Sequence, residues 1–176
     1  MAEELGRTRI GWEMRFDSEE DCGRVLPYAP RCNEENFDRL EAELDRGRTA
    51  EIAAIIRGWH DALERRDLDA MIGGYAADAV IFDVKPPWTI AGPRALRQMW
   101  EACLPFFPED FRIETQDLAV HRSGDLAVAH WVQRIVVERD PAHPAAQTCL
   151  RATVTLRRDG DCWLSVHDHV SVPFGQ

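Results

Sequence analysis

Apolar and polar residues change period along the chain, and the change marks where helices give way to strands. From Asn33, which can cap a helix, Phe37, Leu40 and Leu44 recur at helical spacing up to Gly47. After Thr49, Ile52, Ile55, Ile56, Trp59, Ala62 and Leu63 form a second apolar stripe ending near Arg66. Asp67 opens a short helix through Leu68, Met71 and Ile72, stopped by Gly73-Gly74. Tyr75 to Asp78 leads into a strand at Ala79–Asp83. Lys85-Pro86-Pro87-Trp88 suits neither a helix nor a central strand, so it reads as a loop. Gly92-Pro93 opens another helix, with Leu96, Met99, Trp100, Cys103 and Leu104 on one stripe, closed by Pro105 and Pro108.

From Phe111 onward the pattern predicts strands: Phe111–His121, Leu126–Arg139, Thr148–Arg158 and a last one after Asp159-Gly160. In that last strand Leu164, Val166, Val170 and Val172 share one parity with Asp168. Trp163, Ser165, His167, His169 and Ser171 share the other. Successive strand side chains point to opposite faces, so one apolar face carries a single carboxylate. Such a group is costly unless a cation meets it, its pKa rises, or it faces a wet cavity. Helices followed by a strand meander predict an α+β fold.

Residues 1 to about 33 carry Trp12, Met14, Phe16, Val25, Leu26 and Tyr28 between glycines, prolines and an acidic run from Asp17 to Asp21. That is too apolar for a disordered tail by composition. Residues 1–47 therefore read as an N-terminal extension with one short helix, and 48–176 as a single domain.

Composition adds four constraints. A net charge of −10 argues against nucleic acid or an anionic membrane surface as the main partner. Met1 to Met14 lacks the apolar core of a signal peptide, and no stretch reaches the roughly 18 apolar residues of a membrane span. Five cysteines with no Cys-x-x-Cys pair predict reduced thiols and a cytoplasmic protein. No glycine-rich phosphate loop and no nucleophilic triad is legible, and no cofactor is expected.

The order of elements, with the closing run RRDGDCWLSVHDHVSVPF, resembles the nuclear-transport-factor-2-like superfamily, in its SnoaL-like and ketosteroid-isomerase-like branch. The last third is also similar to the association domain of calcium/calmodulin-dependent protein kinases. The resemblance covers about Thr49 to Phe174. It implies a cone: a strongly curved antiparallel sheet wrapped around a long N-terminal helix, with a pocket at one end and a homodimer through the convex sheet face. It also implies that Arg134, with His130 and Val132, points inward from the middle strand, that Arg151 does so from the next, and that Val166, Asp168 and Val170 do so from the last. Asp83 then belongs near the mouth, beside Trp88 and Lys85, while Trp59 and Tyr75 form an apolar wall. His167, His169 and Trp131 fall on the convex face.

A cleft of this kind suits a small, partly apolar organic ligand. A carboxylate of raised pKa can take a proton from a carbon beside a carbonyl, and a nearby donor or cation can hold the charge that develops. Ketosteroid isomerase works with a carboxyl tuned by its surroundings in this way. On this reading Asp168 or Asp83 is the base, Arg134, Arg151 or His130 stabilises charge, and Trp59, Tyr75, Trp88 and Lys85 contact the ligand. The rival is a non-catalytic ligand-binding or oligomerisation module in which Asp168 and an arginine form a structural ion pair. A metal on His167 and His169 lacks further ligands in the sequence.

Overall fold

The computed structural model describes residues 13–147 and 149–173; Trp12, Thr148 and Phe174 lie outside them. The chain divides into two compact units, one up to Leu44 and one from Asp45.

In the first unit, helix α1 (Glu19–Val25) starts where Ser18 Oγ accepts the Asp21 N–H at 3.1 Å. The acidic run supplies its first turn, where negative charge meets the positive helix end. No residue from Glu13 to Leu44 is buried. Helix α2 (Ala29–Glu64) is 36 residues long and passes through Gly47 without a break. Two helices separated at Gly47 are thus one. A glycine inside a helix costs about 1 kcal/mol, which lowers stability but does not break the hydrogen-bond ladder.

The second unit is built around the part of α2 that follows Asp45. Helix α3 (Leu68–Gly73) is capped by Asp67, whose Oδ1 accepts the Ala70 N–H at 3.0 Å. Strand β1 (Tyr75–Phe82) follows, then the short β2 (Thr89–Ala91) and helix α4 (Gly92–Cys103). The guanidinium of Arg66 donates to the carbonyls of Leu104, Phe107 and Pro108 at 2.7, 3.0 and 2.7 Å, tying the proline-bounded turn after α4 to the end of α2. Strands β3 (Arg112–Ser123), β4 (Leu126–Val136), β5 (Cys149–Asp159) and β6 (Cys162–Ser171) form the meander.

The curved, open sheet has the order β2-β1-β6-β5-β4-β3. Its ladders are antiparallel except for β1 against β6, which is parallel. The antiparallel description thus holds for the meander and for β2, while β1 reaches β6 through the long crossover of strands and α4. No helix among the described residues is long and apolar enough to cross a membrane.

The core decides which strand face is inside. Ile52 and Ile56 of α2 lie against Ala127, Ala129 and Trp131 of β4, Ala152, Val154 and Leu156 of β5, and Trp163 of β6. Ala127 and Ala129 are 1% and 0% exposed. Their small side chains leave room for Ile52 and Ile56 to pack on the sheet. A second cluster joins Leu63 and Met71 to Phe111 and Val137, and a third joins Ile72 and Tyr75 to Ile81, Ile90 and Leu96.

Candidate functional site

The site is set by a break in regularity. Thr155 pairs with His167 and Leu156 with Ser165, so Val166 is an extra residue in β6. A bulge of this kind shifts the parity of everything beyond it. Trp163 and Ser165 before the bulge, and Asp168 and Val170 after it, therefore all face inward. Strand β1 is irregular at the same place: Tyr75 pairs with Ser165 and Val80 with His167, so four residues of β1 face one of β6. The Ser165 N–H donates to the Gly74 carbonyl at 2.8 Å, which seats Tyr75 beside β6.

Tyr75 Oη donates to Asp168 Oδ2 at 2.8 Å. Asp168 keeps some accessible surface on the cavity, but its carboxyl is enclosed by protein. Removal from water pushes its pKa above the ordinary 3.8; the Tyr75 bond and His167 pull it down, and Asp83 pushes it up. Burial and the neighbouring Asp168 charge hold the Tyr75 hydroxyl well above its usual value, so it stays a donor. Asp168 has no arginine or lysine partner among the described residues.

These two groups open on a cavity of about 200 Å³. Ile55, Ile56 and Trp59 of α2 form one wall, and Trp131, Ala152, Val154 and Leu156 of the sheet form the other. Its polar side chains are Asp168, Tyr75, Ser165 and Gln133, and the indole N–H of Trp59 on its wall has no hydrogen-bond partner among the described residues. Ser165 Oγ donates to the His167 carbonyl at 3.4 Å and is spent on its own strand. No lysine or arginine lines the cavity.

The remaining polar group belongs to a network. Gln133 Oε1 lies 2.7 Å from Trp131 Nε1 and 3.1 Å from His60 Nε2. Thr115 Oγ1 lies 3.3 Å from His60 Nδ1. His60 is 4% exposed, and burial lowers its pKa, so the ring is neutral at pH 7. It stands four residues beyond Ile56 on the helical stripe Ile52, Ile56, His60, which is the signal that could have found it.

Of the residues expected at the site, Asp168, Tyr75 and Trp59 are together at the cavity. His130, Arg134 and Arg151 are not: all three are exposed and face outward. In β4 the inward residues are Ala127, Ala129, Trp131 and Gln133, so Arg134 falls on the outer face, opposite Glu114 in the ladder. Its Nη2 meets Glu114 Oε2 at 2.6 Å, a cross-strand ion pair in water rather than a buried charge. In β5 the inward parity is Ala152, Val154 and Leu156, which turns Arg151 out. His130 stacks on His121, ring centroids 5.7 Å apart, on the outer face. Trp131 moves the other way. It is 8% exposed, in the core and on the cavity wall rather than on the convex face.

Lys85 and Trp88 are on their loop, Trp88 exposed to 65%, and neither lines the cavity. Asp83 follows the end of β1 half-buried, its Oδ1 accepting the Lys85 N–H at 3.2 Å; it acts on Asp168 through charge, not contact. His167 and His169 lie on the outer face with Phe82 against both rings, and His167 Nδ1 is 2.7 Å from the Val80 carbonyl. Among the described residues no three histidine, cysteine or acidic side chains gather as a metal site would require.

Residues 52–175 match the model of the SnoaL-like domain. No curated protein matches the chain. Among solved structures, a nuclear-transport-factor-2-like protein of unknown function from Pseudomonas putida is similar at 34% identity, covering 74% of this chain and 90% of that one, with a TM-score of 0.67. A structure from Streptomyces avermitilis described as a candidate dehydratase of the same family is 17% identical over 74% and 99% of the two chains, TM-score 0.64. A structure from Thiobacillus denitrificans described as a candidate association domain of a calcium/calmodulin-dependent protein kinase is 20% identical over 69% and 94%, TM-score 0.58. The last two share the fold alone.

Proposed function

This chain belongs to the SnoaL-like domain family, and on that premise we propose that its cavity binds a small, largely apolar carbonyl compound and moves a proton on it without a cofactor. One observation carries the reading: the Asp168 carboxyl faces the cavity, half-buried, with a tyrosine hydroxyl and no arginine or lysine for company. A carboxylate paired with arginine is a weak base, because the pairing lowers its pKa. Asp168 is raised instead, toward the range in which a carboxylate takes a carbon-bound proton.

In the proposed step the Asp168 carboxylate removes a proton from the carbon beside the carbonyl. The C–H electron pair becomes a carbon–carbon double bond, and the carbonyl π pair moves to oxygen. The proton on Asp168, which keeps some accessible surface, exchanges with solvent, and Asp168 then returns a proton to the same carbon or to one conjugated with it. Tyr75 O–H is the donor next to the carboxyl, and Trp59, Trp131, Val154 and Leu156 give the enolate an apolar wall.

The test is deuterium exchange at the acidic carbon of 2-tetralone, an enolisable bicyclic ketone, followed by NMR. The wild-type chain should speed exchange over buffer. Asp168→Asn, which keeps the shape and can still accept from Tyr75, should lower the rate by at least about a hundredfold, the usual worth of one general base. Exchange that survives in a folded Asp168→Asn protein counts against the reading, and a wild-type chain that binds the ketone without speeding exchange favours the binding-module alternative.

A further inference from the structure

The second polar group of the cavity has an orientation that chemistry decides. An indole nitrogen can only donate, so the Gln133 atom 2.7 Å from Trp131 Nε1 is the carbonyl oxygen. That oxygen cannot donate, so His60 Nε2, 3.1 Å away, carries the proton of the neutral ring. His60 Nδ1 is then the acceptor for the Thr115 hydroxyl at 3.3 Å. One orientation satisfies all three contacts. Both lone pairs of Gln133 Oε1 are occupied, its amide is locked at the oxygen end, and its NH2 has no hydrogen-bond partner among the described protein groups. Gln133 lines the cavity. A donor left over in an apolar cavity, on a side chain anchored by two others, is built for a ligand acceptor.

Its position relative to Asp168 follows from the sheet. Asp168 pairs with Val154 and Val154 with Ala129. Gln133 stands two strands away and four residues further along β4. With strands about 4.8 Å apart and about 3.3 Å per residue, the two backbones are about 16 Å apart before curvature and side-chain reach are subtracted. The carboxyl and the amide therefore stand apart on the cavity lining, two strands and four residues from each other.

We propose that Gln133 is a specificity residue, held by Trp131 and His60, that donates to an uncharged oxygen at the end of the ligand remote from Asp168. The ligand class is an elongated, neutral molecule with a carbonyl at one end and an ether, hydroxyl or second carbonyl oxygen at the other. A carboxylate is disfavoured at either end, since no lysine or arginine lines the cavity and Asp168 repels it. The inference rests on the proposed function for the reacting end, but the remote end can be tested separately.

The probes are 2-tetralone and 6-methoxy-2-tetralone, which differ by one remote ether oxygen, with affinities from titration calorimetry. Wild type should bind the methoxy ketone about fivefold more tightly, as one net hydrogen bond of about 1 kcal/mol would give. Gln133→Glu keeps an acceptor for Trp131 and His60 but turns a carboxylate oxygen toward the cavity, so the advantage should disappear. An advantage undiminished in Gln133→Glu, or no binding of either ketone to wild type, overturns the inference. Nitrogen-15 NMR of the wild-type chain, which needs no variant to fold, should find the His60 proton on Nε2; a proton on Nδ1 also overturns it. If the methoxy advantage depends on Gln133 while Asp168→Asn leaves exchange unchanged, the proton-transfer reading fails and this inference stands. The reverse result separates them the other way.

Discussion

At the scale of single residues, burial acts with opposite sign on Asp168 and His60. Asp168 has a folded pKa above 3.8, so between that value and its folded pKa the folded chain holds a proton that the unfolded chain has lost. Stability falls as pH rises through that window, and the whole cost is carried above it. His60 has a folded pKa below 6.5, so below 6.5 the unfolded chain binds a proton that the folded chain refuses, and stability falls as pH falls. The two are separated by difference. The melting midpoint of Asp168→Asn minus that of wild type cancels His60, and it should grow in favour of the variant from about pH 4 toward neutrality. A flat difference would show that Asp168 is not raised.

Tyr75→Phe makes the converse change at the same carboxyl. The hydroxyl holds the Asp168 pKa down against burial, so its loss should raise it. The rise of 2-tetralone exchange with pH should then shift to higher pH, with the fold intact. A shift to lower pH would mean that the hydroxyl does not donate to Asp168.

At the scale of elements, the strands and short helices follow from local pattern, but the strand faces and the continuity of α2 do not. Asp67, Gly73-Gly74 and Gly92-Pro93 mark helix ends that the structure keeps, because a cap or a missing donor acts within one turn. Gly47 reads as a stop and is not one. A Cβ built there meets nothing within 4 Å, and the helix continues on both sides. Gly47→Ala should therefore stabilise α2 by about 1 kcal/mol and raise the melting midpoint by about 2–4 °C. A lower midpoint, with less helical signal in far-UV circular dichroism, would mean that the backbone at Gly47 is not helical in solution.

Faces are a harder matter. In β4 Val128 and Val132 stand on one parity and Ala127, Ala129 and Trp131 on the other, so alternation alone cannot say which is inside. Packing against Ile52 and Ile56 selects the alanines, and that choice sends Arg134 and His130 out and brings Trp131 and Gln133 in. In β6 the extra residue Val166 inverts the parity in mid-strand. Leu164 to Val172 thus looks like a regular alternation but is two half-strands facing opposite ways.

At the scale of the whole molecule, every buried residue among those described lies at or beyond Ile52, and the unit that begins at Asp45 holds all three core clusters and the cavity. A chain that starts at Asp45 should therefore fold alone, melt cooperatively within about 4 °C of the full chain, and bind 2-tetralone with unchanged affinity. Non-cooperative melting would assign residues 1–44 a part in the core. Affinity lost from a well-folded truncation would assign them a part in ligand binding.

The sequence by itself determined the order and type of the main elements, the α+β class, the family and the isolated carboxylate at Asp168. Each of these rests on local period, on turn residues, or on a motif within one strand. Only the tertiary structure decided what stands around that carboxylate. The absence of an arginine, the Tyr75 hydroxyl, and the amide of Gln133 held by His60 and Trp131 depend on which face each strand turns inward. That is settled by a helix pressing on alanines and by one extra residue in β6, which are facts of packing and register that no window of the chain contains.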